Sequence, residues 1–300
     1  MKILLVSNKT YRGTPDLGYW YLQKPLEDIG HTVYWYDTVK PEESNFDKVV
    51  EKFKPDLIFC CMTGDPMITP CEPWESILKE TQSGRTKTFN WFCDETWRFK
   101  SFSSKACKHF NVCSTTEPAY VQKFKEIGYN NIMLANWHAN SDFYSKIKFE
   151  DKDVNLSFIG FPTPKRESFF KVSGLPIENF YGLSHEEMFM VHSRSKIGLN
   201  LSKNDNDMEN KTQMKQRIFE IPAGGGLLLT EHHEGIEEFF AIDKEIVTFK
   251  TIEELKKKAE LLLKRPKLLE KISSNGHKRF LKEHDSKVRL AKVLEDINKF

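Results

Sequence analysis

Lys215-Gln216-Arg217-Ile218-Phe219-Glu220-Ile221-Pro222-Ala223-Gly224-Gly225-Gly226-Leu227-Leu228-Leu229-Thr230 is the stretch that decides the fold. A charged start leads through a helix-spaced segment into three glycines, and then into a run of Leu that reads as a buried strand. A helix feeding directly into an all-apolar strand belongs to a parallel sheet covered by helices. Arg217 and Glu220 stand three apart and so share a helix face. The glycines permit close approach of the backbone to a neighbour or a ligand.

The same alternation runs through the whole chain. Segments 2–7, 31–36, 56–61, 86–92, 110–114 and 131–134 read as strands, with helices over 19–29, 46–53, 74–82 and 120–127. The series restarts with strands at 155–159, 196–201, 226–230 and 245–249, and closes with helices over 253–263, 266–275 and 286–297. A chain of 300 residues exceeds the usual single domain. The polar stretch 141–153 between the two series marks the expected boundary. It gives an N-terminal domain over 1–145, a C-terminal domain over 146–285, and a last helix, 286–300, packing back across the junction. The expected class is α/β, two Rossmann-like domains with parallel sheets.

With 39% hydrophobic residues, each half can bury a core. No apolar run approaches the roughly 20 residues needed to span a bilayer. The apolar start 1–6 is too short for a signal peptide and reads as a first strand, so a cytoplasmic location is expected. Six cysteines show neither a C-x-x-C pair nor zinc-finger spacing and are expected to be reduced thiols. A net charge of +2 implies no nucleic-acid partner. Residues 255–300 nevertheless hold 14 Lys/Arg against 6 Asp/Glu. Weak peripheral contact of these basic helices with an anionic inner membrane surface is the matching expectation.

Open α/β sheets bind ligands at the carboxyl ends of their strands, so the loops that follow the strands carry the candidates. Gly13 and Gly18 lie in the first such loop, which lacks a G-x-G-x-x-G fingerprint and precedes a helix N-terminus that favours anions or polar substrates. Asp94 follows the strand at 86–92, where a carboxylate can orient or deprotonate a hydroxyl or else cap the next helix. His138 follows the strand at 131–134 and can accept a proton near pH 7, although a lone His is more often structural. Lys165 and Arg166 open a helix after Gly160. Two cations there oppose the helix dipole and make sense facing a phosphate. The 231–238 stretch, E-H-H-E-G-I-E-E, lacks H-x-x-x-H spacing, and Asp205-x-Asp207 reads as solvated loop, so no metal site is expected.

The segments R-I-F-E-I-P-A-G-G-G-L-L-L-T, E-G-I-E-E-F-F and K-E-I-V-T-F, with N-L-S-F-I-G-F-P-T-P-K-R and S-K-I-G-L-N-L upstream, resemble the C-terminal domain of group 1 glycosyltransferases. The likeness is closest to the spore-maturation-protein-like branch. It covers residues 130–290 well and the N-terminal half only through Gly18, L-x-x-I-G-H-T-V at 26–33 and W-F-C-D at 91–94. The resemblance implies a GT-B fold, with two Rossmann-like domains facing across a cleft and the nucleotide-sugar donor held in the C-terminal one.

Glu220 matches the second Glu of the family's E-x7-E motif, which binds the ribose. Thr212 stands where the first Glu belongs. Lys165 and Arg166 fall where the family places basic side chains on the diphosphate, with Asn200 and Arg217 grouped in the same donor site. Gly235 and Glu238 fall in the segment lining the donor sugar. The implied activity is transfer of a sugar from a nucleotide sugar, UDP- or GDP-linked, to a carbohydrate or glycoconjugate acceptor. It would proceed without metal or other cofactor, and with retention of configuration. Two alternatives stand beside it: a nucleotide-sugar-binding module without catalysis, which Thr212 favours, and a nucleotide-sugar epimerase of the same fold.

Overall fold

Apolar runs that alternate with amphipathic helices fold here into two separate parallel sheets. The computed structural model describes residues 1–11, 13–203 and 211–300. The Asp205-x-Asp207 motif lies outside the described residues. The chain divides into one unit of Met1–Asn136 with Ser286–Phe300 and a second of Trp137–Asp285.

In the first unit, β1 (Lys2–Ser7), β2 (Thr32–Asp37), β3 (Leu57–Cys60), β4 (Lys87–Trp91), β5 (Val112–Thr115) and β6 (Ile132–Leu134) pair in the order β2-β1-β3-β4-β5-β6, all parallel. Ile3 sits opposite both Val33 and Leu57, which fixes the register. Period-two alternation splits the apolar residues between the two faces. Leu4, Val6, Ile58 and Cys113 pack on one side; Ile3, Leu5, Phe59 and Phe89 pack on the other. The second face is covered by the C-terminal helix Ser286–Ile297 through Leu290, Val293, Leu294 and Ile297. Lys87 adds a hydrogen bond from its Nζ to the Ile297 carbonyl at 3.2 Å.

The second unit repeats the plan with five strands: β7 (Val154–Ile159), β8 (Glu178–Phe180), β9 (Ser195–Asn200), β10 (Leu227–Glu231) and β11 (Val247–Phe249), in the order β8-β7-β9-β10-β11 and all parallel. The helices Pro164–Ser173, His185–Arg194, Arg217–Ala223, Ile252–Leu263 and Pro266–Glu283 connect and cover it. In each sheet the chain steps first to one side of its opening strand and then to the other. The resulting switch points lie between β1 and β3 and between β7 and β9, where ligands bind in such sheets.

The division falls after Asn136, ahead of the polar stretch 141–153. Polar composition marks exposure, whereas the change of packing partners comes earlier. Trp137 Nε1 already donates to the Met214 carbonyl at 3.0 Å, the Tyr144 ring lies 5.1 Å from that of Phe189, and the Ser145 amide donates to Ser193 Oγ at 3.0 Å. Short elements absent from the sequence reading are the hairpin of Thr10–Tyr11 with Thr14–Pro15, the helical turns from Glu95 to His109, β8 and the helix His185–Arg194. That last helix opens with a capping box formed by Ser184 and Glu187.

Gly276, within Pro266–Glu283, sets the distance between that helix and the sheet. A Cβ there would lie 2.3 Å from the Glu245 carbonyl oxygen. Ala is the better helix former by about 1 kcal/mol. Backbone overlap outweighs that gain, and Gly276→Ala is expected to destabilise the protein by about 1–3 kcal/mol. Urea unfolding measures this; a stabilised variant would show that the helix can move away freely.

Candidate functional site

The switch point of the second sheet gathers a polar and cationic group. β7 ends at Phe158-Ile159-Gly160 and β9 at Asn200. The partly buried guanidinium of Arg217 lies 4.7 Å from the Phe158 ring centre and donates through Nη1 to Asn200 Oδ1 at 3.0 Å. Asn200 is fully buried. Its Nδ2 is taken by Thr230 Oγ1 at 2.9 Å and Ser202 Oγ at 3.2 Å, which aims its oxygen at Arg217. Gly160 makes room for this arrangement: a Cβ would come 2.8 Å from the Phe158 ring and 3.2 Å from Arg217 Nη2.

Arg166 joins from the helix Pro164–Ser173, which Thr163 caps by accepting from the Arg166 amide. Its guanidinium lies 5.4 Å from the same Phe158 ring, and Nη1 donates to the Phe161 carbonyl at 2.9 Å. Burial lowers the Arg217 pKa to about 10. Glu220 opposes the shift and Arg166 adds to it. Arg217 therefore stays charged at neutral pH, at a cost that an anion between the two cations would relieve.

Glu220, one helical turn beyond Arg217, is buried. Its Oε2 stands 3.8 Å from Nε2 of His192, whose ring nitrogens have no hydrogen-bond partner among the described residues. Burial lowers the His192 pKa to about 3, with Arg217 and Lys152 pushing the same way, so this imidazole is a neutral wall beside the carboxylate. His192 was missed by the sequence reading, since it lies on a helix that reading did not find. Glu231, at the end of β10, was also missed as a site residue. Its Oε2 accepts the Ser202 and Lys203 amides, both at 3.1 Å, and its Oε1 meets Lys203 Nζ at 2.9 Å. It holds the loop that leaves β9 at the sheet edge.

The remaining predicted donor residues are spread around this edge. Lys165 is exposed at the start of its helix, and Glu238 is exposed on a short turn that follows Gly235, whose φ is +89°. Thr212 Oγ1 and His233 Nδ1 are 2.9 Å apart, so the residue in the place of the family's first Glu is tied to the loop after β10. His232 turns the other way, with Nε2 3.9 Å from Glu237 Oε1. Among the described residues, no three His, Cys, Asp or Glu side chains gather as metal ligands would.

In the first unit, Asp94 takes the capping position before Glu95–Arg98 without a side-chain cap bond; its carbonyl accepts the Arg98 amide at 2.9 Å. Its neighbour Glu95 is the buried carboxyl, with Thr115 Oγ1 donating to it at 2.7 Å and Ser103 Oγ at 3.1 Å. Burial raises the Glu95 pKa to about 7, against those two hydrogen bonds and together with Asp94 and Glu117. Glu95 was passed over because it reads as an ordinary first-turn acid. Gly13 (φ +83°) turns the hairpin after β1, and Gly18 lies against Trp35, where a Cβ would come 2.8 Å from the ring. His138 belongs to the second unit, not with Asp94; it is buried, and its carbonyl accepts from Gln216 Nε2. All six cysteines are free thiols.

Comparison with known proteins fits this geometry. Residues 164–295 match the family described as glycosyl transferase-like. No curated protein is significantly similar in sequence. Among solved structures, a glycosyltransferase from Rickettsia africae superposes with a TM-score of 0.68 at 13% identity, over 99% of this chain and 98% of that one. HepE from Anabaena, in complex with UDP-glucose, gives 0.66 at 11% over 100% of both chains. Sucrose-phosphate synthase from Thermosynechococcus elongatus gives 0.66 at 10%, over 100% of this chain and 99% of that one. The chain thus has the GT-B fold of these glycosyltransferase structures, and residues 164–295 carry the glycosyl transferase-like signature.

The raised pKa of Glu95 has a sign. Its folded-state value lies above the ordinary 4.5, so its contribution is fully present below that value and is lost as pH rises through about 7. Glu95→Gln is expected to flatten the fall in stability between pH 4.5 and 7, a difference on the order of 3 kcal/mol. Urea unfolding across that range checks it; an unchanged slope would show that Glu95 is not the titrating group.

Proposed function

We propose that the protein transfers a sugar from a UDP-linked donor to a carbohydrate or glycoconjugate acceptor, with the donor held by the second unit. The observation that carries this reading is the Arg217–Asn200–Phe158–Gly160 arrangement at the switch point, with Arg166 beside it and Glu220 one turn away. Two guanidiniums at a strand edge suit a diphosphate, and a buried carboxylate on the same helix suits the two hydroxyls of a ribose. HepE was solved with UDP-glucose, which favours uracil over guanine as the base.

Departure of the nucleoside diphosphate builds negative charge on the leaving oxygen. In this reading Arg217 and Arg166 stabilise that charge without a metal. Asp94, in the first unit, orients or deprotonates the acceptor hydroxyl, and His138, in the second unit, is the second candidate. Retention of configuration and the nearer kinship with the spore-maturation-protein-like branch belong to the same proposal and rest on the order of the C-terminal motifs. So does a cytoplasmic location with weak peripheral membrane contact. Among the described residues no helix is long and apolar enough to cross a membrane, and 11 of the 14 basic residues of 255–300 lie on three helices. Co-sedimentation with vesicles is expected to rise with their anionic lipid content; binding indifferent to that content ends the membrane part.

Calorimetric titration of UDP tests the donor site. Glu220→Ala is expected to weaken binding by about 1–3 kcal/mol, as for a lost charged hydrogen bond. Arg217→Ala is expected to lower both binding and turnover, because the charge it meets grows in the transition state. If both variants lose thermal stability yet bind UDP as the wild type does, Arg217 and Glu220 are a structural pair and the assignment fails.

A further inference from the structure

A cavity lies at the opposite edge of the second sheet from the Arg217 group. Its volume is about 700 Å³, within the range of sites that hold small metabolites. Lys152 precedes β7, and Gly224 and Gly225 precede β10, so these lining residues place it at the amino ends of the strands, away from Arg217. Lys146 and Lys148 stand on the segment entering the sheet, and Ser273 and His277 on the helix Pro266–Glu283.

The charge inside is positive. Lys152 is only 3% exposed, and its contacts are carbonyls: Nζ donates to Gly224 O at 2.8 Å and to Ser193 O. An ammonium has three donors, so one is left over on a group that lines the cavity. Burial lowers the Lys152 pKa to about 8, which leaves it charged at neutral pH. His277 feels the same field: burial lowers its pKa, and Lys152 and Lys146 push it further down against its bond to Pro222. The lining carboxylates, Asp142 and Glu270, are on exposed residues.

We propose that this cavity binds a small, soluble phosphate-bearing anion, and that its occupancy acts on the donor site. Lys152 and His277 both hold the carbonyl end of the helix Arg217–Ala223, through Gly224 O at 2.8 Å and Pro222 O at 2.7 Å. The other end of that helix carries Arg217 and Glu220. Lys152 also holds Ser193 O, next to His192, which faces Glu220. An anion that draws Lys152 or His277 toward itself loosens these bonds and shifts the donor-site side chains. The binding half of the proposal stands apart from the reading of the donor site; the coupling half rests on it.

Calorimetric titration of inorganic phosphate and of a hexose monophosphate, at constant ionic strength, tests the binding half. Saturable binding is expected, weakened about tenfold in the Lys146→Ala/Lys148→Ala double variant. These lysines are exposed, and an unchanged melting temperature shows that the fold is intact. Arg217→Ala is expected to leave phosphate binding as it is. No saturation with either ligand overturns the site, and so does binding lost in Arg217→Ala but kept in the lysine variant, which would locate the phosphate at the donor site. Capture only by vesicles containing phosphatidylglycerol, with none from solution, also overturns it. For the coupling half, phosphate is expected to change UDP affinity by about threefold or more in the wild type and not in the lysine variant. Unchanged UDP affinity at saturating phosphate ends that half. Absence of UDP binding in the wild type defeats the donor reading and leaves phosphate binding as a separate result.

Discussion

The close packing of the helix Arg217–Ala223 onto β9 is the constraint on which the second unit depends. Two glycines enforce it. A Cβ at Gly198, inside β9, would come 2.6 Å from Ile221 of the helix, and a Cβ at Gly224, at the helix end, would come 2.6 Å from the His192 backbone. With both absent, the helix sinks against the strand and buries Ile218, Phe219, Glu220 and Ile221. That depth brings Arg217 onto Phe158 and within reach of Asn200. A helix held farther out would leave the same side chains in solvent, where a cation–π contact contributes less than in a desolvated site.

Much of this architecture was legible in the sequence because strand and helix periods are written in every apolar residue. The segments 46–53 and 286–297 match the helices Phe46–Phe53 and Ser286–Ile297. The lost elements are those whose pattern is short or interrupted. The helix His185–Arg194 carries His192, Ser193 and Arg194 near its end, so its buried face includes polar side chains. β8 has only three residues. The site was legible as a list of residues but not as a geometry. Arg217 and Glu220 stood out by spacing, whereas the Arg217 bond to Asn200 crosses 17 positions and needs the parallel register of β9 and β10 to form. The three glycines read as room for a neighbour or a ligand; at Gly224 the neighbour is protein backbone.

Glu95 and Asp94 show the same limit in the first unit. Sequence position favoured Asp94, which stands directly past the apolar strand. Burial separates the two: Glu95 turns inward to Thr115 and Ser103, while Asp94 keeps partial exposure. The inward carboxyl, held by two hydroxyls, fixes the turn on which the partly exposed Asp94 stands.

The electrostatics of the two edges of the second sheet complete the argument. At the carboxyl edge Arg217 and Arg166 share one aromatic face, and Arg166 raises the cost of charging Arg217. At the amino edge Lys152 is charged among carbonyls, with no carboxylate among its contacts in the described residues. Folding alone rewards neither arrangement, since like charges repel and a buried ammonium loses its hydration. Both are tolerated because other groups hold the cations: the Asn200 amide, the Phe158 quadrupole and the Glu220 carboxylate for Arg217, and two carbonyls for Lys152. Dipoles that hold a cation without neutralising it leave its charge to act on whatever binds next. In the proposed reading, the charge at the carboxyl edge is set before a leaving group arrives, so its full effect falls on the state in which negative charge is greatest.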